Sequence, residues 1–417
     1  MTTARLPAVG ELLDLDIGQV AHGGHFVARH QGQVVFVRHT LPGERVRARV
    51  TESRRGYLRA DAVEVLTGSP DRVATPCPYT GPGRCGGCDF QHVAPEAQRR
   101  LKAMVVREQL LRIGGLTAAE LDGLPGGFTV ESLPGGALGW RTRVRYAVSG
   151  DGRAGLRRHR SHEVLPVDRC LIAAPEIQAA PVTDNRWSGT SGVLAVRGAG
   201  GEVTVCRERS GGLTLVSGPA EVSEHAAGRD WWLRPDAFWQ VHPAAADTFT
   251  RYVLELLEPQ PGEHAWDLYA GAGLFAAALA SRVGPGGRLV MVESDPGPDP
   301  GGNLVDLPQV RVVRGRVERV LARRSMRHAD MVVLDPPRSG AGGQVVRRIA
   351  AAGPRAVAYV ACDPAALARD VRTFRTLGWR LAWLRGFDAF PMTHHVECIA
   401  LLVPPTVSGA EARNQRR

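Results

Sequence analysis

The sequence predicts a multidomain α/β protein, and three observations carry that prediction. From about residue 236 onward, apolar strands, glycine-bearing loops and apolar helices alternate, the pattern of a parallel sheet covered on both faces. Residues 10–66 instead read as short period-two strands punctuated by glycine and proline, the pattern of a small antiparallel barrel. Residues 130–235 return to strand-like alternation and predict a mainly β middle region. A chain of 417 residues is long enough for two or three such cores.

Composition bounds the function. Hydrophobic residues make up 44% and aromatic residues 6%, which fits a globular chain rather than a disordered one. The net charge is +10 and the isoelectric point about 9.8. Arginine carries almost all of it, because Lys102 is the only lysine. A surplus of this kind favours a polyanionic partner such as nucleic acid. No segment reads as a signal peptide or reaches membrane-spanning length, so the expectation is a cytoplasmic protein without a membrane partner. Thiols stay reduced there, and seven cysteines call for a role other than disulfides.

Each element has its own reason. In the barrel, 13–17, 33–37, 45–50 and 60–65 are the clearest strands. Arg45, Arg47 and Arg49 alternate with Val46, Ala48 and Val50, which predicts a cationic outer face suited to RNA over an apolar inner one. A cysteine-rich loop spans 67–92, and 95–112 has helical periodicity. Residues 183–192 and 198–201 read as loops. A helix is predicted over 244–257, then a strand over 263–269, the glycine loop 270–273, a helix over 274–280 and a strand over 288–292 that ends at Glu293. The tail beyond Pro404 reads as frayed.

Two apolar runs, 331–334 and 356–361, end in Asp335-Pro336-Pro337-Arg338 and in Cys362-Asp363-Pro364. Both read as buried strands, which puts an acidic loop and a thiol at the carboxyl edge of one sheet, where open α/β sheets bind ligands. A thiol there is either a nucleophile or a buried core residue. The loop DLYAGAG, an acid closing the next strand and the DPPR loop two strands on together resemble the class I S-adenosylmethionine methyltransferase pattern. Glu293 stands where a carboxylate can accept both hydroxyls of a ribose. A loop running into Leu274-Phe275 suits a cofactor without a pyrophosphate better than a phosphate cradle.

The run CPYTGPGRCGGC gathers Cys77, Cys85 and Cys88, with glycines that let the backbone wrap a bound centre. Three reduced thiols in one loop point to a metal or iron–sulfur centre. Cys170 is the first candidate for a fourth ligand and His92 the alternative, and spacing alone does not separate zinc from [4Fe-4S]. Cys206 and Cys398 read as core.

With these residues in hand the chain resembles the RNA uracil-5-methyltransferases that carry an N-terminal TRAM domain and an iron–sulfur cluster. The stretches CPYTGPGRCGGCDFQH with the following AQRRLK, LRRHRSHEVLPVDRC, FWQVHP, DLYAGAGLF, LDPPRSG, YVACDPAALARD and HHVECIALL match in family order along nearly the whole chain. The resemblance implies an OB-like TRAM barrel (8–67), a central mainly β domain with the cluster loop (68–235), a Rossmann-like methyltransferase domain (236–404) and a tail (405–417). It implies a [4Fe-4S] cluster on Cys77, Cys85, Cys88 and Cys170. It also implies S-adenosylmethionine at Gln240, Tyr269, Gly271, Gly273, Glu293 and Asp335, with Cys362 as nucleophile and Glu397 as general base. The implied substrate is RNA, 23S ribosomal RNA ahead of transfer RNA, and the default assembly is a monomer.

The residue types suit that chemistry. Carbon 5 of uracil is too weak a nucleophile until a thiolate adds to carbon 6, and a carboxylate then removes the carbon 5 proton so that the thiol can leave. The base must also leave its stack. Two departures stand out. Residues 294–302 are too rich in proline and glycine for the asparagine-bearing helix that usually follows the acid, and Arg316 replaces an acidic or amide residue expected near the adenine. Two other readings remain open from residues alone: an amino methyltransferase built on Asp335-Pro336-Pro337, and a non-catalytic iron–sulfur RNA-binding protein.

Overall fold

The structure is a computed structural model that describes residues 6–294 and 301–405. The N-terminal six strands are β1 (Leu12–Asp16), β2 (Val20–Ala21), β3 (His25–His30), β4 (Gln33–Arg38), β5 (Arg45–Ser53) and β6 (Tyr57–Thr67), in the order β1-β5-β6-β4-β3-β2. All neighbours are antiparallel except β4 and β6. Backbone bonds between Gly18, Gln19 and Val27 bring the segment after β1 onto β3, so the sheet curls on itself. Val46, Ala48 and Val50 of β5 are buried and the arginines face outward. Arg47 is not a free cation, however. It pairs with Asp14 at 2.9 Å and Glu64 at 3.0 Å, its cross-strand partners on β1 and β6.

After the cysteine loop comes α1 (Pro95–Arg112), started by a proline at its first position, where the missing N–H costs nothing. Its apolar residues lie on two faces. Ala97, Leu101 and Val105 join the barrel core, and Val106 and Leu110 join the core of the C-terminal sheet. The short α2 (Ala118–Asp122) is closed by a Thr117/Glu120 capping box, and β7 (Val130–Ser132) follows.

A six-stranded antiparallel sheet is formed by β8 (Arg143–Val148), β9 (Ala154–Arg157), β10 (Val164–Pro166), β11 (Gly192–Arg197), β12 (Val203–Arg209) and β13 (Gly212–Ser217), with α3 (Pro175–Ala179) in the β10–β11 connection. A hairpin of β14 (Val222–Ala226) and β15 (Arg229–Leu233) leads to the last region. There α4 (Ala245–Leu257), β16 (His264–Leu268), α5 (Leu274–Val283), β17 (Arg288–Glu293), α6 (Gly301–Leu304), β18 (Val310–Arg314), α7 (Val317–Val320), β19 (Met331–Leu334), α8 (Gly343–Ala351), β20 (Ala356–Ala361), α9 (Pro364–Thr376), β21 (Arg380–Asp388) and β22 (Glu397–Val403) succeed one another. The sheet order is β18-β17-β16-β19-β20-β22-β21-β7, and β22 alone runs against its neighbours. Strand order reverses between β16 and β19, the place where such sheets open a ligand crevice. β7 precedes the β8–β13 sheet in the chain yet is the edge strand here.

The proline-rich segment needs correction at its end. Residues 295–300 lie outside the described residues, but 301–304 form the short helix α6, which starts directly after Pro300, the last proline of the run, and includes Gly301 and Gly302. The tail from residue 406 also lies outside the described residues.

Candidate active site

The first turn after β16 sets the floor of the site. Tyr269 takes φ +63° and Gly271 φ +55°, so the chain leaves the strand sharply and enters α5 at Gly273, φ +93°. A Cβ at Gly273 would stand 2.9 Å from Leu304 Cδ1, which explains glycine there. Glu293, at the end of β17, accepts the Gly271 N–H at 2.8 Å and the Ser294 N–H at 2.5 Å.

Two further loops come from the adjacent strands. The one after β19 begins with Asp335 and is held behind by buried Asp370 of α9. That carboxylate accepts the Ala341 N–H at 2.7 Å, the Gly342 N–H at 3.1 Å and the Tyr359 hydroxyl at 2.7 Å. The loop after β20 carries Cys362, and Asp363 caps α9 by accepting the Ala366 N–H at 2.8 Å. His22 of the barrel reaches the other oxygen of Asp363 at 3.0 Å. Glu397 opens β22, beside Phe387 of β21.

These loops surround one cavity of about 740 Å³ that Gln240, Tyr269, Gly271, Glu293, Asp335, Cys362 and Glu397 all line. It is large enough for a nucleoside cofactor and a base together. Gly273 does not line it and serves as the cap of α5. Gln240 Nε2 lies 3.5 Å from Asp335 Oδ2.

Charge in the cavity is unusual. Burial, then the charge on Asp335, pushes the Glu397 carboxyl well above the usual carboxylate range, while Arg338 pulls it down. Glu397 Oε2 is buried and has no hydrogen-bond partner among the described residues. Burial likewise raises Asp335. The Cys362 thiol is pushed up to about 12 by burial first, then by Glu397 and Asp335, with Arg338 opposing. A further buried carboxyl, Asp267 beneath the glycine loop, is raised by burial, with the Ala276 backbone N–H opposing and the charges of Asp335 and Glu293 adding to the rise.

The sequence did not single out several lining residues. Phe238 and Arg338 lay inside the quoted motifs FWQVHP and LDPPRSG but had no role assigned. His395 sits 3.3 Å from Arg338. Asn303 of α6 lines the cavity and is fixed by two bonds to the Trp232 backbone, at 2.9 and 3.0 Å. It stands just past the proline-rich segment, on the short helix α6. Arg316 is exposed and stands outside the cavity lining.

Cys77, Cys85, Cys88 and Cys170 line a second, smaller cavity of about 80 Å³. His92 does not; it is buried against the barrel, 3.0 Å from the Thr40 carbonyl. Burial raises Cys85, and the nearby Cys170 and Cys77 raise it further. Among the described residues no group of three His, Cys, Asp or Glu is arranged to hold a metal ion. Gly87 and Arg141 border both cavities, so the cysteine loop forms part of the wall of the larger one. Cys206 and Cys398 are buried, as expected of packing residues. No helix among the described residues is long and apolar enough to cross a membrane.

Comparison with known proteins agrees with this arrangement. The TRAM domain family matches residues 8–63, and the family described as tRNA (Uracil-5-)-methyltransferase matches 319–404. An uncharacterized RNA methyltransferase of Streptomyces avermitilis is 50% identical, over 95% of this chain and 99% of its own. The 23S rRNA (uracil(1939)-C(5))-methyltransferase RlmD of Cronobacter sakazakii is 32% identical, over 91% and 93%. Among solved structures, the tRNA (uracil-54, C5)-methyltransferase of Pyrococcus abyssi, in complex with S-adenosyl-L-homocysteine, has the same fold. It covers 93% of this chain and 99% of its own at a TM-score of 0.70 and 21% identity. The chain belongs to the RNA (uracil-5-)-methyltransferase family.

Proposed function

We propose that the protein methylates carbon 5 of a uridine in structured RNA. The observation that carries this reading is the single cavity shared by a thiol, an unpaired buried carboxyl and the glycine-loop acid. Bound S-adenosylmethionine would supply an electrophilic methyl group, with Glu293 on its ribose and Gln240, Tyr269, Gly271 and Asp335 around it. Gly273 holds the turn that presents this loop. Cys362 Sγ adds to carbon 6 of the flipped uracil, which makes carbon 5 nucleophilic. After methylation Glu397 takes the carbon 5 proton, and the Cys362–carbon 6 bond breaks to release the product. A carboxyl raised by burial suits that step, since its conjugate base is stronger than an exposed carboxylate.

The larger RNA is favoured. The 32% identical relative with near-complete coverage is named for 23S rRNA, while the enzyme named for tRNA shares the fold at 21% identity. The 8–67 barrel and the 68–235 region supply the arginine-bearing surface, the 236–404 domain the chemistry, and the protein acts as a cytoplasmic monomer.

Cys77, Cys85, Cys88 and Cys170 are read as ligands of a [4Fe-4S] cluster. Four thiols line one small cavity, and the family resemblance, rather than the spacing, favours the iron–sulfur centre over tetrahedral zinc. Such a centre would cross-link the loop to the strand region around Cys170, and no step of the methylation changes oxidation state.

The test is to incubate the protein with methyl-labelled cofactor and total RNA and map the product by mass spectrometry. The expected product is 5-methyluridine at one rRNA position, lost in Cys362→Ala while cofactor binding persists. Label on an exocyclic amine, or full activity in that variant, would instead support the Asp-Pro-Pro amino methyltransferase reading.

A further inference from the structure

Glu397 depends on the connection 389–396 between β21 and β22, which has no regular secondary structure of its own. Met392 within it adopts φ +67°, a conformation that costs a non-glycine residue about 1–2 kcal/mol and persists only where the surroundings impose it. Those surroundings come from other parts of the chain. Gln98 of α1 accepts the Met392 N–H at 2.8 Å, and its own amide is tied to the carbonyls of Phe90 at 3.1 Å and Val93 at 2.9 Å. The Met392 carbonyl accepts two backbone donors from the cysteine loop, Asp89 at 3.0 Å and Phe90 at 2.9 Å.

Asp89 extends the same grip. Its Oδ2 meets His394 Nδ1 at 2.5 Å, and its Oδ1 meets Arg38 of β4 at 3.3 Å. At the start of the connection, Lys102 donates to Asp388 Oδ1 at 2.5 Å and to the Phe390 carbonyl at 3.0 Å. Gln98, Lys102 and Asp89 are all buried, and none of them lines the main cavity. None of these contacts touches the loops that carry Cys362 or Asp335.

We propose that Gln98 and Asp89 are positioning residues for the proton-abstraction step. They hold Met392 and His394, with Lys102 anchoring the start of the segment, and so fix where the Glu397 carboxylate stands. This rests on the uridine C5 reading above. Addition of Cys362 and methyl transfer use the loops after β19 and β20; the segment meets the first of these at His395, 3.3 Å from Arg338, a contact that Gln98 and Asp89 do not make. Removal of the carbon 5 proton, and hence scission of the Cys362–carbon 6 bond, requires the clamp.

The experiment follows the methylated enzyme–RNA adduct by rapid quench and denaturing gel, with Glu397→Gln as reference. Gln98→Met keeps the volume and removes the hydrogen bonds. His394→Ala releases Asp89 at a less buried position, so it decides the matter should Gln98→Met fail to fold. Both variants should form adduct within about twofold of the parent protein yet resolve it about tenfold to a hundredfold more slowly, the scale of a small misplacement of a reacting group. Cofactor affinity should be unchanged, and His394→Asn, which keeps a donor toward Asp89, should recover most of the rate. If Glu397→Gln accumulates no adduct, the uridine C5 reading fails and this inference with it. If that reference accumulates adduct but Gln98→Met and His394→Ala resolve theirs at the parent rate, the positioning role is overturned. It is equally overturned if they lose formation, resolution and cofactor affinity together.

Discussion

The place of Cys362 was legible because its apolar run stops abruptly at an Asp-Pro turn, which sets it at a sheet edge, but the run alone left a nucleophile and a core thiol both open. Glu397 was not legible from chemistry. It opens an ordinary apolar strand, and only the fold, which pairs it with Phe387 one strand from Cys362, gives it a task; the family resemblance alone had named it. The resting thiol stands near 12, so it is protonated at neutral pH. Each unit by which its pKa rises costs about tenfold in thiolate. Arg338 is the charge that opposes the rise. Arg338→Ala should therefore slow adduct formation at neutral pH and move the alkaline limb of its pH–rate profile upward, as quench measurements across pH would show. The parent profile should itself climb from neutral to alkaline pH, because Cys362 is raised and adds in its deprotonated form.

Among the elements, the strands β19 and β20 could be placed to the residue, since a pure apolar run leaves little choice, and helical periodicity over 95–112 placed α1. Their partners could not be placed. Helix α1 is apolar on two faces, which the sequence shows only as a diffuse pattern, and it lies between the barrel core and the C-terminal core. The sequence read 130–235 as one mainly β region, whereas its first strand, β7, joins the C-terminal sheet, because pairing is decided by tertiary packing. Asn303 escaped for a different reason: a proline run excludes a helix within itself but not immediately after. The glycine loop gives a test at this scale. Gly273→Ala would place a methyl group against Leu304 in left-handed backbone. It should cost about 1–2 kcal/mol in urea unfolding and weaken cofactor binding, measured by calorimetry, more than Gly284→Ala. Gly284 also has a positive φ, but open space surrounds it.

At the scale of the whole molecule, composition gave the sign of the partner but not the distribution of charge. Of the three β5 arginines expected to grip phosphates, Arg47 spends its charge on Asp14 and Glu64. Reversing Arg49 to Glu should thus weaken RNA binding more than reversing Arg47, provided both fold, and should lower the slope of log affinity against log salt by about one; filter binding over a salt series measures both. The cysteine loop joins the two ends of the molecule, through Asp89 to the barrel and to the segment before Glu397. If the four thiols hold the proposed cluster, chelating its iron should lower the thermal midpoint and slow adduct resolution before it abolishes cofactor binding, as calorimetry and quench assays on the same sample would report. The central claim, attack by Cys362 on a uracil ring, is tested most directly with RNA carrying 5-fluorouridine, whose fluorine replaces the proton that Glu397 must remove. The account predicts a stable covalent complex that carries the transferred methyl group and maps by mass spectrometry to the peptide containing Cys362. Methylation of ordinary RNA with no such complex, or a complex that survives Cys362→Ala, would contradict it.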